Sequence, residues 1–440
     1  MEKITSQKLA EILAYSNKVI DVEITKISTD SRCVDEKTLF IALKGERFDA
    51  HNFVTDVIDK GCQLIVVDHF IENIPSEQQI IVNNTLEAYG KIGAYNRSLF
   101  KGKIIGLTGS AGKTTTKEEI AFLLSKFGKT YATVGNFNNQ VGVPLSLCNL
   151  DMSADYAVIE MGMSAKGEIS YLVNMVKPDI AIVTNVYPMH IEFFPDFKAI
   201  AYAKSEIFEG LQKNKGIAII NEDTNFADIL ISEAQKHGAE ILKFGKNNQP
   251  YRNFTLNEEG EHFLYNAWCA LSVIKALNLN IEKAASYIKD FGALEGRGKN
   301  HTLKLKNGTY TLIDDSYSGQ PEAMKFAIKS LDKKTTKGRK IVVLGKMAEL
   351  GATSQARHIE IGQLLAQSNI DIIIGVCPEM KDMLSQLPKD KIQYYFENKD
   401  NLSDFLLNNL LQNEDTILIK GARYSSKLYQ VAEELLKKGV

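Results

Sequence analysis

The chain has 440 residues, 44% of them hydrophobic and 24% charged, and a net charge of −2. This composition is typical of a globular protein, and the near-neutral charge excludes a general attraction to nucleic acid or to an anionic membrane. The N-terminus has no apolar signal core, and no apolar run reaches the roughly 18 residues of a spanning helix. We therefore expect a cytoplasmic protein without membrane insertion. Five scattered cysteines without a CxxC pair indicate buried thiols rather than disulfides or zinc ligands.

Residues 1–100 are predicted to form a small α/β domain, and the length predicts about three domains in all. A helix is expected over residues 4–14, and the apolar runs 39–43 and 64–67 are typical of buried strands. Between the helix and the first strand lies a polar cluster, Ser28-Thr29-Asp30-Ser31-Arg32. Two interpretations stay open for this cluster, a capped turn and a polar clamp for a phosphorylated or sugar-bearing ligand.

A glycine-rich turn lies between the apolar run 104–108 and a helical pattern over 117–124, and it reads Gly109-Ser110-Ala111-Gly112-Lys113-Thr114-Thr115. Strand, glycine turn and helix are the context of a phosphate-binding loop. Its backbone N–H groups and the helix N-terminus favour an anion. Lys113 is expected to pair with the terminal phosphates and Thr114 to ligate their metal ion. Leu107 stands where the strict pattern requires glycine, and a purely structural turn is the alternative.

Residues 101–298 are predicted to form a mostly parallel sheet covered by helices, because short apolar strands alternate with helical stretches. The predicted strands include 156–159, 180–183 and 216–220. Ligands of such sheets bind beyond the carboxyl ends of the strands. Glu160, at one such end, can reach a metal ion at the phosphate loop. His190 follows another strand, and a lone histidine is more often structural.

Other segments of this central region leave two interpretations open. The loop 135–144, with Asn138 and Asn139, is dense in amide groups and fits a binding loop or a surface turn. A helix is expected over 202–208, where Lys204 and Glu206 fit a solvated face. Residues 243–262 are predicted to be a loop or a shortened hairpin. The helix predicted over 263–277 contains Trp268, which we expect in the core.

Residues 295–298 have the composition of an interdomain hinge, and residues 299–440 are predicted to form a second open α/β sheet. Its strands are expected at 311–313, 341–345, 370–375 and 416–421. The expected fold class is therefore α/β, with a central P-loop domain between a small N-terminal α/β domain and a Rossmann-like C-terminal α/β domain.

These motifs together resemble the Mur ligase family, ATP-dependent amide-forming enzymes that build the peptide stem of bacterial cell-wall precursors. The resemblance covers essentially the whole chain. Besides the phosphate loop, its ordered motifs are Gly135-Asn136-x-Asn138-Asn139, Glu160-Met161-Gly162, Asn185 with His190, Lys204-x-Glu206-Ile207, His262 with Asn266, Gly296-Arg297, Asp314-Asp315-Ser316-Tyr317 and Lys420-Gly421-x-Arg423.

Two segments distinguish members within the family. The Asp-Asn-Pro-Arg tetrapeptide of the diaminopimelate-adding member is not found, and 343–351 resembles a segment of the dipeptide-adding member, with Lys346 in place of its usual Asp. Two further departures from the family pattern are Ser318-Gly319-Gln320 in place of Asn-Ala-Asn, and Glu261 and Phe263, which flank His262 in place of Arg and Asn. The resemblance therefore implies that D-alanyl-D-alanine is added to UDP-N-acetylmuramoyl-tripeptide through an acyl phosphate. The alternatives are a ligase that adds the third residue, a folate polyglutamylating enzyme that shares the fold, and a catalytically weakened nucleotide-binding protein.

The resemblance also implies cofactors and residue roles. ATP and two Mg²⁺ ions are the expected cofactors, and the expected catalytic residues are Lys113, Glu160, His190 and a carbamylated Lys204. Thr114 and Glu160 would hold one ion and His190 the second.

The remaining implied roles concern substrates. His262 and Asn266 are candidates for the adenine, and Arg297 and Asp314 would reach ATP when the domains close. The UDP-substrate candidates are Ser31, Arg32, Asn138 and Asn139. Lys420 and Arg423 would face the dipeptide carboxylate or the nucleotide. A monomer is expected.

Overall fold

The computed structural model describes residues 2–45, 48–257 and 260–439. Three α/β units follow one another along the chain, each with its own parallel or mostly parallel sheet. We call them the N-terminal unit (elements from Ile4 to Leu99), the central unit (Lys103 to Asp290) and the C-terminal unit (Lys299 to Lys438). Within the described ranges no helix is both long and apolar enough to cross a membrane.

The N-terminal unit contains a four-stranded parallel sheet, in the order Lys26–Ser28, Thr38–Ile41, Leu64–Val67 and Gln79–Ile81. A separate antiparallel pair joins Ile4–Thr5 to Glu23–Ile24. The helices and short 3-10 turns are Ser6–Ile12, Ala50–Phe53, Val54–Asp59, Ser76–Gln78 and Thr85–Leu99. The last of these helices also contacts the central unit, because Asn96 Nδ2 donates to Leu147 O (2.6 Å) and Arg97 Nε donates to Val176 O (2.7 Å).

The central unit contains a six-stranded, fully parallel sheet, in the order Glu240–Phe244, Ile217–Asn221, Ile180–Val183, Lys103–Thr108, Tyr156–Glu160 and Thr130–Ala132. Its helices and 3-10 turns are Lys113–Leu124, Gly142–Cys148, Glu168–Val176, Ile191–Phe193, Phe197–Ser205, Glu206–Gly210, Ala227–Lys236, Glu261–Ala276, Ile281–Tyr287 and Ile288–Asp290.

The C-terminal unit contains a six-stranded mixed sheet, in the order Lys299–Leu305, Gly308–Asp315, Thr416–Lys420, Lys340–Gly345, Ile372–Val376 and Ile392–Phe396. Only the pairing of Lys299–Leu305 with Gly308–Asp315 is antiparallel in this sheet as described. The helical segments are Pro321–Lys333, Gly351–Thr353, Ser354–Ala366, Met380–Leu384, Leu402–Phe405, Leu406–Leu410, Arg423–Ser426 and Leu428–Lys438.

All three sheets are covered on both faces. In Lys103–Thr108, Ile104 packs into one core cluster while Ile105 and Leu107 pack into the cluster on the opposite face. Successive side chains of a strand point to opposite faces, so a strand with two covered faces is apolar throughout. Leu107, which departs from the strict phosphate-loop pattern, is thus a core residue of the strand.

Several sequence predictions need correction. The helix predicted over 4–14 begins at Ser6, because Ile4 and Thr5 form a strand and Thr5 caps the helix. For the segment 243–262 the loop interpretation is right for residues 245–257, which form no helix or strand, but Phe244 ends a strand and Glu261 begins a helix. Residues 258–259 of this segment lie outside the described ranges. Cys33 is exposed, whereas the other four cysteines are buried as predicted. Trp268 lies in the core with 4% exposure, as predicted.

Candidate active site

The glycine-rich turn connects the strand Lys103–Thr108 to the helix Lys113–Leu124, as its sequence predicts. Two glycines are required by the geometry. A Cβ on Gly109 would lie 1.9 Å from Thr184 Oγ1, and Gly112 has a left-handed φ of 76° at the helix N-terminus. The turn therefore lies tight against the end of the neighbouring strand, with the helix N-terminus free to face an anion.

Residues beyond the neighbouring strand Ile180–Val183 fix the shape of this turn. Asn185 accepts from the Ala111 N–H (2.8 Å) and donates to the Ala111 carbonyl (2.9 Å). The Ser110 hydroxyl accepts from the Tyr187 N–H (2.9 Å) and donates to the Tyr187 carbonyl (3.1 Å). Asn185 is thus a loop-shaping residue, which explains its place in the motif set.

A cavity of about 790 Å³ opens beside the turn, between the central and C-terminal units. Both units contribute charged and aromatic side chains to its wall. Of the candidate residues, the wall includes Ser110, Ala111, Gly112, Lys113, Thr114, Thr115, Asn138, Glu160, His262, Asn266, Arg297, Lys420 and Arg423. Side chains that are distant in the sequence therefore face one space.

Glu160 and Asn138 form an interlocked pair on the cavity wall. Asn138 Nδ2 donates to Glu160 Oε1 (2.7 Å), and a Cβ on Gly162 would lie 2.9 Å from Asn138 Oδ1, so the Glu160-Met161-Gly162 motif provides the room for Asn138. Glu160 Oε2 is buried and has no hydrogen-bond partner among the described residues. An ionised oxygen left without a partner is costly, and a cation at this position would satisfy it.

Two lysines lie close enough to influence each other here, and Lys113 also interacts with the charge of Glu160. Lys113 Nζ donates to the Gly109 carbonyl (2.8 Å), and burial lowers the pKa of Lys113. Lys204, in the last turn of the helix Phe197–Ser205, is 2% exposed. Burial, with the charge of Lys113, holds the pKa of Lys204 well below its ordinary value. The expected solvated face is therefore wrong for Lys204 and also for Glu206, which is 8% exposed. Glu206 accepts from the Gly167 and Ser170 N–H groups at the start of the helix Glu168–Val176.

His190 lies at the edge of this site, adjacent to the cavity-lining Met189. Its Nδ1 lies 2.6 Å from Oε2 of Glu349, a residue of the C-terminal unit that also lines the cavity. The sequence prediction did not include Glu349 among the site residues. The available signal was its place in the segment 343–351, but nothing in the sequence connects that segment with His190.

An aromatic wall lines the same cavity as the phosphate loop. The His262 ring lies 4.1 Å from the Phe263 ring and 6.5 Å from the Phe326 ring. Burial, with the charge of Lys420, lowers the pKa of His262 to about 4, so the ring is neutral at pH 7. Asn266 lies nearby and accepts from the Thr116 hydroxyl (3.0 Å). This wall offers a flat apolar surface with polar groups at its edge.

The C-terminal rim of the cavity is centred on Tyr317. The guanidinium of Arg297 lies 4.0 Å from the ring centroid of Tyr317, and that of Arg423 lies 5.1 Å from it. Arg297 also donates to the Thr114 hydroxyl (3.0 Å), which joins the hinge to the phosphate loop. Lys420 is 1% exposed and pairs with Asp315 (2.7 Å).

The structure separates the two adjacent aspartates. Asp315 lines the cavity, whereas Asp314, the predicted nucleotide ligand, accepts from the Ser316 N–H (3.1 Å) and hydroxyl (2.6 Å) away from it. The strand alternation puts the two carboxylates on opposite faces. The register pairs Asp315 with Lys420 on the neighbouring strand, which explains their ion pair.

Three predicted substrate residues lie outside this cavity wall. Arg32 is exposed and forms a two-point ion pair with Asp30 (2.7 and 2.9 Å), next to Ser31. The Asn139 side chain accepts from the Gly142 N–H (2.9 Å) at the start of a helix. Both open interpretations of the Ser28–Arg32 cluster stay compatible with this geometry, because the buried Ser28 hydroxyl caps the turn while Thr29 and Ser31 are partly exposed.

The departures from the family pattern have local partners. Lys346 pairs with Glu379 (2.8 Å), and Glu261 pairs with Lys246 (2.8 Å). Phe263 is the ring that contacts His262 in a tilted arrangement, and the segment 318–320 lines the cavity. None of these changes opens the phosphate loop or displaces its lysine.

Family models match most of the central and C-terminal units. The model described as "Mur ligase middle domain" matches residues 107–280, and the model described as "Mur ligase, glutamate ligase domain" matches residues 301–423.

Relatives that match along the full length also indicate the Mur ligase family. The chain is 33% identical to the UDP-N-acetylmuramoyl-tripeptide–D-alanyl-D-alanine ligase of Rickettsia prowazekii, over 91% of this chain and 93% of the relative. It is 31% identical to the protein of that name from Escherichia coli, over 100% of both chains.

Solved structures of Mur ligases are also similar to this chain. MurF from Acinetobacter baumannii superimposes with a TM-score of 0.89 at 30% identity, over 99% of both chains. MurF ligase from Thermotoga maritima, solved in complex with ADP, superimposes with a TM-score of 0.81 at 26% identity, over 94% of this chain and 97% of that one.

Proposed function

This chain belongs to the Mur ligase family, and we propose that it joins D-alanyl-D-alanine to UDP-N-acetylmuramoyl-tripeptide while ATP is converted to ADP and phosphate. The observation that carries the proposal is the shared cavity. A phosphate loop, a carboxylate oxygen without a partner and the cations of the C-terminal unit all face it. The names of the full-length relatives supply the substrates.

The reaction must activate a carboxylate. An oxygen of the tripeptide carboxylate attacks the γ-phosphorus of ATP, the bond to ADP breaks, and an acyl phosphate forms. The dipeptide amine then attacks the acyl carbon, phosphate leaves, and the amine loses a proton as the amide forms. The protein contributes mainly positioning and charge neutralisation. Lys113 and the loop N–H groups hold the β- and γ-phosphates.

The side chains around the phosphate loop are suited to bind divalent metal ions. Glu160 Oε2 is a buried carboxyl oxygen without a partner among the described residues, and the Thr114 hydroxyl lies at the same phosphate loop, so these two residues would hold one Mg²⁺. His190 would hold a second. Bound Mg²⁺ would neutralise charge on the phosphate oxygens. Arg297 donates to the Thr114 hydroxyl and must release it for this role.

Lys204 fits the carbamate that the family resemblance implies. Carbamylation requires a neutral amine, and burial favours the neutral form of Lys204. ¹³C-bicarbonate should therefore give a carbamate carbon resonance that Lys204→Ala loses. The same resonance in Lys204→Ala would place the carbamate elsewhere.

The remaining roles are assigned by position. His262 and Asn266 take the adenine, and Arg297 takes phosphate charge on closure. Asp314 points away from the cavity, so we assign it to shaping the turn before Tyr317.

On the substrate side, Ser31 and Arg32 contact the UDP end. Asn138 positions Glu160. Asn139 shapes the loop 135–144, in which both asparagines lie. Arg423, which has no carboxylate partner among the described residues, faces the dipeptide carboxylate, whereas Lys420 is held by Asp315.

The three units take separate tasks in this proposal. Residues 1–100 bind the UDP substrate, 101–298 bind ATP, and 299–440 close on ATP and bind the amine. A cytoplasmic monomer suits substrates that are nucleotide-linked and water-soluble.

A ligation assay tests the function. The protein is given ATP and UDP-N-acetylmuramoyl-tripeptide with D-alanyl-D-alanine, and separately UDP-N-acetylmuramoyl-dipeptide with diaminopimelate or lysine. We expect phosphate release and a ligated mass only with the dipeptide amine. Phosphate release only with the single amino acids would overturn the assignment. ATP binding without product in either arm would favour the nucleotide-binding alternative.

A further inference from the structure

Lys117 is a fully buried lysine in the helix that follows the phosphate loop. It belongs to the helix Lys113–Leu124, and its side chain is 0% exposed. Its ammonium donates to the Thr133 carbonyl and to the Gly135 carbonyl (2.9 Å), and it lies 2.8 Å from Oε1 of Glu118. These three partners match the three N–H donors of an ammonium, so the group has a defined position.

The two carbonyls that Lys117 binds lie at the point where the chain leaves the edge of the central sheet. Thr133 follows the edge strand Thr130–Ala132 and is 1% exposed. Its N–H donates to the Val158 carbonyl (3.0 Å), and its hydroxyl accepts from the Glu160 N–H (3.1 Å). Lys117 therefore contacts a residue that is itself bonded to the backbone of Glu160.

Asn138, a few residues further along, contacts the side chain of Glu160. Its Nδ2 donates to Glu160 Oε1 (2.7 Å), and its backbone carbonyl accepts from the Gly162 N–H (2.7 Å). Residues 133–138 thus contact Glu160 at both ends, at its backbone through Thr133 and at its carboxylate through Asn138. Lys117 connects this segment to the helix of the phosphate loop.

Apolar packing contributes little to the position of residues 133–138. Val134 and Phe137 are 65% and 46% exposed. Two backbone hydrogen bonds are internal to the segment, from the Phe137 N–H to the Val134 carbonyl (3.2 Å) and from the Asn138 N–H to the Asn136 carbonyl (2.7 Å). The bonds from Lys117 therefore carry information about position that the exposed side chains do not supply.

We propose that Lys117 is a positioning residue that holds residues 133–138 in place, so that Asn138 orients the Glu160 carboxylate with Oε2 directed to a divalent ion. Groups that hydrogen-bond a metal ligand set its orientation and the affinity of the site. Lys113 and Lys117 then lie one turn apart on one helix with different tasks, the first on phosphate and the second on the metal ligand. This inference rests on the proposed metal role of Glu160 but not on ligation itself.

Hydrogen exchange of the ligand-free full chain tests the positioning directly. In Lys117→Met, peptides that cover residues 134–142 and 160–163 should exchange about tenfold faster than in wild type, because local opening becomes easier. Glu118→Gln is the matched control and should exchange as wild type does, since Lys117 keeps both carbonyls. Lys117→Gln, which retains a shorter N–H donor, should show a smaller change and serves if Lys117→Met does not fold.

Calorimetry of ADP binding, in EDTA and with Mn²⁺, tests the effect on the metal site. Wild type should bind ADP more tightly with Mn²⁺. Lys117→Met should reduce this gain by about tenfold and keep the affinity in EDTA within about twofold. Asn138→Ala should reduce the gain by about 10–100-fold. Adding Lys117→Met to Asn138→Ala should change the gain by less than about twofold, because Lys117 acts through Asn138.

Unchanged exchange of residues 134–142 in Lys117→Met would overturn the proposal. Equal losses of ADP affinity with and without Mn²⁺ would also overturn it, because they indicate a purely structural role, and so would additive losses in the double variant. A wild type without any gain from Mn²⁺ would reject the metal role of Glu160 and this inference with it. A wild type with the gain but without ligation would reject the proposed function and keep the positioning role.

Discussion

The lysines on the two sides of the cavity differ in whether a carboxylate pairs with them. On the central side, Lys113 and Lys204 have no carboxylate partner within salt-bridge distance among the described residues, and the pKa of each is lowered by burial. On the C-terminal side, Lys420 is 1% exposed and pairs with Asp315 at 2.7 Å. Arg423 lies over the rings of Tyr317 and Tyr429 at 5.1 and 4.3 Å.

Lysines without a carboxylate partner can bind a ligand, whereas a paired lysine stabilises the fold. An unpaired buried cation costs stability until an anion arrives, whereas a paired one fixes the position of its neighbours. Lys113 is therefore free to bind an added anion, whereas Lys420 fixes the position of Asp315.

The largest expected effect is the fall in ligation rate when Lys204 is replaced. Lys204→Ala should lower kcat for ligation by about 10²–10³-fold, because the carbamate that we propose on Lys204 is lost. ADP release and the product mass measure this. Lys198→Ala, an exposed lysine on the same helix, is the matched control and should keep wild-type rates. Wild-type kcat in Lys204→Ala would remove the distinction between the two sides.

The second prediction compares stabilities without ligands. Lys420→Met should lower the free energy of unfolding by about 3 kcal/mol, because Asp315 is left without its partner. Lys204→Met should leave it unchanged or raise it by about 1 kcal/mol, because an unpaired buried amine is replaced by an apolar chain. Urea unfolding at pH 7 measures both. Adding Asp315→Asn to Lys420→Met should recover part of the loss, and losses of equal size in the two single variants would contradict the comparison.

The third prediction concerns His262, whose pKa is about 4 in the folded chain and ordinarily 6.5. Between these values the unfolded chain binds more protons, so the stability contributed by the neutral ring is present above pH 6.5 and is lost as the pH falls towards 4. The loss should reach up to about 3 kcal/mol.

Urea unfolding at pH 7 and pH 4.5 measures this loss. His262→Phe should show a smaller loss than wild type, and the exposed control His69→Gln should match wild type. Equal losses in His262→Phe and wild type would show that the ring is not held neutral.

The smallest effect is expected at the N-terminal unit. Arg32 and its partner Asp30 lie at the surface, so Arg32→Ala should leave the unfolding midpoint unchanged. If Arg32 contacts the UDP substrate, KM for that substrate should rise by about threefold to tenfold while kcat stays near wild type. Steady-state kinetics with saturating ATP measures both parameters, and Lys37→Ala is an exposed control on the same unit. An unchanged KM would favour the capped-turn interpretation.

The sequence identified the interior of each sheet but missed its edges. The predicted strands, from 39–43 to 416–421, are all interior strands, whereas the missed ones include all six edge strands of the three main sheets: Lys26–Ser28, Gln79–Ile81, Thr130–Ala132, Glu240–Phe244, Lys299–Leu305 and Ile392–Phe396. An interior strand of a sheet covered on both faces is a continuous apolar run. An edge strand is short or partly exposed, so its composition does not distinguish it from a loop.

By itself, the sequence determined the α/β class, the phosphate loop and the residues that follow it on the central strands. These features are formed by segments that follow one another in the chain. Strand, turn and helix are contiguous, and the carboxyl ends of parallel strands meet at one edge of the sheet. The tertiary structure alone decided the pairs Glu349 with His190 and Lys420 with Asp315, and that Asp315 rather than Asp314 faces the cavity. The physical reason is that strand register and the packing of one unit on another fix these contacts, and neither is encoded in the spacing of residues along the chain.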